Sequence, residues 1–182
     1  STVSVTVVAA PVVAAADSVA DINGASGAAN LLNAFAGDSV NGAAATSANA
    51  VLTAATAVPA GLTFDAATGN VSVAAGTAAG TYSFDYQICE LLNPANCKTA
   101  TISVTVVAAP VVASADSVAD INGASGAANV LNAFAGDSIN GAAATSANAV
   151  LTVATGSTVP AGLSFDTATG NVSVAAGTAA GT

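Results

Sequence analysis

Histidine, methionine, tryptophan and arginine are all missing from this chain, and its single base is Lys98. Each absence removes a class of function. Without histidine, a serine or cysteine nucleophile lacks its usual base, and a Ser-Lys pair would have to use Lys98. An enzyme is therefore not expected. Ten acids against one base give a net charge of −9, and nucleic acid or an anionic membrane surface would need clustered Lys and Arg instead. The glycines at 24 and 27 and at 76 and 80 have no Gly-Lys-Ser/Thr after them, so they read as strand turns and not as phosphate loops. Long apolar runs are missing too. Mean hydropathy is +0.71, yet a membrane-spanning helix needs about 20 consecutive apolar residues. The longest stretch here, residues 5–16, is broken by Thr6 and Pro11, so no transmembrane segment is expected. With so few sites for oxidants or trypsin-like proteases, the composition suits an extracellular or cell-surface location.

Alternation with a period of two, the mark of half-buried strands, dominates what is present. Tyr82, Phe84, Tyr86 and Ile88 alternate with Ser83, Asp85, Gln87 and Cys89, and Ala100, Ile102, Val104 and Val106 alternate with Thr99, Thr101, Ser103 and Thr105. With Asn93-Pro94 as the turn, residues 82–107 are predicted to form one long β-hairpin. Cys89 and Cys97 then fall on its outer face, opposite each other. They are too far apart in sequence for a CxxC redox pair. In an oxidising compartment they are expected to form a structural disulfide, although in a reducing cytosol they would stay thiols.

The chain repeats itself. Residues 3–7 return at 102–106, and the 43 residues from Pro11 return almost unchanged from Pro110; after Thr53 and Thr152 the second copy gains two residues, which marks a loop. Residues 1–7 read as the last strand of a preceding repeat or as a donor strand. Residues 8–107 read as a complete repeat, and 108–182 as a second that lacks the closing hairpin. Seven strands are predicted in the complete repeat, near residues 12–19, 30–35, 50–56, 62–65, 71–74, 82–89 and 98–107. Seven short strands separated by turn residues in about 100 residues indicate an all-β antiparallel sandwich of the immunoglobulin type. The junction between the repeats, Ala108-Ala109-Pro110, is short and predicted to be stiff.

Pro59-Ala60-Gly61-Leu62, Asp65, Thr68-Gly69-Asn70-Val71, Gly76-Thr77 and Gly80-Thr81-Tyr82-Ser83-Phe84 together resemble the tandem immunoglobulin-like repeats of bacterial cell-surface adhesin and fibril proteins. Pro160, Gly162, Leu163, Asp166, Gly170, Gly177 and Gly181 carry the same pattern in the second copy. Residues 15–39 are similar to the opening of cadherin-like repeats. The resemblance implies a non-catalytic stalk, filament, sheath or surface coat whose partners are copies of itself or neighbouring repeats. The alternative is a glycan- or protein-binding adhesive module, although all seven aromatics fall in or beside predicted strands, where core packing accounts for them.

Asp17, Asp21, Asp38, Asp116, Asp120 and Asp137 are the candidate metal ligands, because calcium wants several hard oxygens near a domain junction. Asp also dominates turns through bonds to its own backbone, so both readings stand. No other cofactor is indicated. Lys98 shares the inward parity of Ala100 and Ile102. It is either a rim lysine whose ammonium reaches water or one half of a Lys-Asn isopeptide bond.

Overall fold

Turn residues cut the first repeat into short strands, which a computed structural model describes along with the rest of residues 1–181. In chain order these are β1 (Val12–Val13), β2 (Asp17–Asn23), β3 (Ala28–Asn33), β4 (Ser39–Val40), β5 (Ala43–Ala44), β6 (Ala50–Ala54), β7 (Leu62–Phe64), β8 (Asn70–Val73), β9 (Gly80–Glu90) and β10 (Cys97–Val107). They assemble as sheets β2-β10-β9-β6, β3-β8-β7 and β1-β4-β5. The alternation in β9 and β10 decides the layering. Phe84, Tyr86, Ile88, Ile102, Val104 and Val106 are buried and pack with Leu62, Val71 and Val73 of the second sheet and Val12 and Val40 of the third. Phe64 and Phe84 bridge two sheets with ring centroids 5.4 Å apart. The first unit is thus an all-β sandwich around one core.

Residues 1–7, read above as the last strand of a preceding repeat or as a donor strand, are exposed and pair with no strand of this unit. Three features differ from the sequence reading. The single strand expected at 12–19 is two, β1 and β2, which lie in different sheets. Two strands were read only as turns: β4 and β5, a short hairpin closed by Asn41 and Gly42 at φ 55° and 76°, the pair of positive φ values that a type I′ turn requires. Finally, β10 and β2 run parallel while the other ladders of this unit are antiparallel. Their register steps from Val104 opposite Val19 to Val106 opposite Ile22, so β2 carries an extra residue. That bulge falls at Asp21, whose φ is 60°.

The chain divides into units Ser1–Ala108 and Ala109–Thr182. The second contains β11 (Val111–Val112), β12 (Ala127–Asn132), β13 (Ser138–Ile139), β14 (Ala142–Ala143), β15 (Leu163–Phe165) and β16 (Asn171–Val174). Its sheets, β11-β13-β14 and β12-β16-β15, repeat β1-β4-β5 and β3-β8-β7 down to the register irregularity at Asn30 and Asn129. Gly24 and Gly123 recur for a local reason: a Cβ on either would run into the carbonyl oxygen of Thr77 or Thr178. Among the described residues the second unit has no counterparts of β2, β6, β9 or β10, and no helix of the chain is long and apolar enough to cross a membrane.

Candidate functional site

Among the described residues, acidic side chains meet in the core at one place, beneath β9. Asp38, at the turn before β4, is 3% exposed. Its Oδ1 accepts the Ala15 N–H at 2.6 Å. The Tyr86 hydroxyl, pointing inward from β9, lies 2.8 Å from Asp38 Oδ2, 3.0 Å from Oδ1 and 2.8 Å from the Ala15 carbonyl. Asp17, the first residue of β2, brings a second carboxylate. Its Oδ2 is buried and accepts no hydrogen bond.

These oxygens outnumber the protons available to them. Burial first, and then the charge of Asp38, push the Asp17 carboxyl up to about 6, while the nearby Tyr86 hydroxyl opposes the shift. Asp38 is raised as well, chiefly by burial, against the bonds from Ala15 and Tyr86. Burial and the neighbouring carboxylates in turn hold the Tyr86 proton firmly in place. The arrangement suits a proton shared among buried oxygens.

The other predicted ligands lie elsewhere. Asp21 is exposed on its bulge, and Asp116 and Asp120 are exposed in a segment without strand structure. Asp137 is half-buried and accepts the Ser114 N–H at 2.7 Å, as Asp38 accepts that of Ala15. Among the described residues no three acidic or thiol side chains are grouped to hold a metal ion.

Family models and curated proteins give no match to this chain. It is similar in outline to solved protocadherin ectodomains. Protocadherin Gamma B7 extracellular cadherin domains 1-4 align at 11% identity with a TM-score of 0.42, over 91% of this chain and 40% of that one. The Protocadherin GammaB4 extracellular domain aligns at 12% identity and 0.41, over 91% and 26%. The chain therefore spans two fifths or less of the length of these two proteins.

A second polar cluster was not anticipated. Glu90, 5% exposed at the end of β9, accepts hydrogen bonds from Asn93 and Asn96 side chains, both at 2.8 Å, and from the Ala10 N–H at 3.0 Å. Asn96 also donates to the Ala10 carbonyl. The Asn96 bond is the main cause holding the Glu90 carboxyl below its ordinary range. The acid and two amides packed around the Asn93-Pro94 turn were the available signal. An inward-facing tyrosine, whose hydroxyl requires a buried partner, was the corresponding signal for Tyr86.

Cys89 and Cys97 are bonded, with Cα atoms 4.1 Å apart. Cys89 is nearly buried despite its outer-face parity, because in a central strand it is flanked by Val51 on one side and Cys97 on the other. Lys98 is exposed, opposite Ile88. That is the rim position, from which its ammonium reaches water.

Proposed function

We propose that the chain is a non-catalytic structural repeat of a secreted or surface-attached filament, sheath or adhesin stalk, with copies of itself or neighbouring repeats as partners. The observation that carries this reading is how the first unit takes in and releases its chain. Ala10 is tied to Glu90 and Asn96 at the start of β10. At the other end of the same strand Gly24 N–H donates to the Val107 carbonyl at 3.0 Å. Eleven residues of extended strand separate the two anchorages by about 33 Å at ~3.3 Å per residue. A unit entered at one end and left at the other is suited to joining others in series and to bearing load along β10. The disulfide beside the entry point supports an oxidising, extracellular setting.

Electron microscopy with an antibody raised against the chain tests this. Labelled fibres, sheaths or extended surface structures are expected. Label found only on dispersed globular particles, or only inside cells, would overturn the reading.

A further inference from the structure

Asparagine is followed by glycine at 23–24 and again at 41–42, and the first unit holds these two pairs in opposite ways. Such a pair carries a latent reaction. The amide nitrogen after an asparagine can attack that asparagine's side-chain carbonyl carbon when the following residue has no Cβ to obstruct the approach. At Asn23-Gly24 both reactants are held. Gly24 is buried and its N–H donates to the Val107 carbonyl at 3.0 Å, while Asn23 Oδ1 accepts the N–H groups of Ala25 at 3.0 Å and Ser26 at 3.4 Å. The carbonyl oxygen of Thr77 stands where a Cβ on Gly24 would be, so this turn has no room to rearrange. At Asn41-Gly42 both residues are exposed. Neither the Gly42 N–H nor the Asn41 side chain has a hydrogen-bond partner among the described residues, and a Cβ on Gly42 would meet nothing within 4 Å. The hairpin that they close has two residues in each strand. So short a hairpin opens locally at small cost, and opening lets the Asn41 side chain swing onto the Gly42 nitrogen.

We propose that Asn41 is a site of self-modification, at which the Gly42 nitrogen displaces the side-chain amide of Asn41 and the resulting succinimide opens to aspartate or isoaspartate. A bond forms between the Gly42 nitrogen and Asn41 Cγ, and the Cγ–Nδ2 bond breaks. The Gly42 proton leaves with the departing amide group as ammonia. Water then opens the ring at either carbonyl, so one water is consumed, one ammonia is released and no oxidant is needed. The product changes the turn in two ways. A neutral position gains a carboxylate in a chain already at −9. Isoaspartate also routes the backbone through the former side chain, which adds a methylene to the two-residue loop that sets Val40 opposite Ala43. The Asn41 N–H donates to the Pro11 carbonyl at 2.8 Å, so the change reaches the point at which the chain enters β1. The same turn recurs at Asn140 and Gly141, with φ of 53° and 76°.

The test is ageing of the full chain in warm, mildly alkaline buffer made with heavy-oxygen water, followed by fragmentation mass spectrometry that distinguishes aspartate from isoaspartate at each position. Heavy oxygen should enter at Asn41, with isoaspartate among the products, at least about tenfold faster than at Asn23, the effect of one hydrogen bond retained there. In denaturant the two sites should react at similar rates, because β-branched Ile22 and Val40 precede them and glycine follows both. An Asn41 that stays unlabelled, equal rates at Asn41 and Asn23 in the folded chain, or a difference that persists in denaturant would each overturn the proposal. So would aspartate formed at Asn41 without isoaspartate, which is direct hydrolysis and needs no attack by Gly42.

Discussion

A hydroxyl has one proton to give, and at Tyr86 the two oxygens of Asp38 and the Ala15 carbonyl compete for it. Ala15 adds a second donor, which is already used on Asp38 Oδ1. Asp17 Oδ2, buried and without a hydrogen bond, is the oxygen left over. Burial first, and then the like charge of Asp38, raise its carboxyl from 3.8 to about 6, and a proton on Asp17 relieves both. Because the folded value lies above the unfolded one, the folded state holds this proton more tightly. The stabilisation is complete below about pH 4 and is lost as pH rises through about 6. Asp65, Glu90 and Asp166 act with the opposite sign, because hydrogen bonds to their ionised forms lower them; their contribution is present at neutral pH and lost on acidification. Comparing the chain with Asp17→Asn isolates the first effect, since the other three groups are common to both. Between pH 4 and 7 the melting temperature of the first unit should fall in the unsubstituted chain relative to Asp17→Asn. Parallel pH profiles would refute the shared-proton account. The six aspartates were identifiable from sequence as residues with something to ligate. That two of them would meet over a tyrosine was not, because Asp17, Asp38 and Tyr86 come from three separate strands or turns.

At the scale of elements, this chain contains its own control for how far local sequence decides a strand. The segment DSVADIN at 17–23 is β2, and the identical segment at 116–122 has no strand structure. The difference is the neighbour: β2 pairs with β10, from Ile102 opposite Asp17 to Val107 opposite Asn23. Strand propensity describes fitness for a pleated, half-buried surface and supplies no hydrogen-bond partner of its own. By contrast, Asp65 and Asp166 form the same turn in both units. Thr68 and Thr169 each donate to the carboxylate at 2.7 Å, and Ala67 and Ala168 at 2.9 Å, because every bond there lies within four residues. Hydrogen exchange should separate the two kinds of segment. The β2 amides paired with β10 are expected to be strongly protected, and those of 116–122 to exchange at rates close to an unstructured peptide. Equal protection of the two segments would show that DSVADIN holds its strand conformation without a partner. The Cys89–Cys97 bridge belongs to this scale too. It closes a short loop, worth about 2.5 kcal/mol in the chain-entropy model, and holds the register in which Tyr86 faces Asp38.

For the whole molecule, burial is divided unequally. Among the described residues the buried apolar set lies almost wholly in the first unit, and Ala144 is the one member from the second. Apolar burial contributes about 25 cal/mol per Å², so the second unit, in which the described residues include no counterpart of the β9–β10 hairpin, should be much the less stable in this chain. Calorimetry of the 182-residue chain is expected to resolve two transitions, the second unit melting first, with per-residue NMR assigning each. One cooperative transition shared by both units would contradict this. What the sequence determined by itself was whatever depends on near neighbours or on alternation: the all-β class, the repeat and its period, the hairpin from 82 to 107 with Phe84, Tyr86 and Ile88 turned inward, the cysteine pairing across it, and the turns built on Asp65 and Asp166. Only the tertiary structure decided that β2 runs parallel to β10, that residues 12–19 are divided between two sheets, that Glu90 holds Ala10, and that Asp17 and Asp38 share one site. The physical reason is common to these four. Each depends on a hydrogen-bond partner or a low-dielectric surrounding supplied by residues distant in sequence, and a segment carries no information about which neighbour will reach it.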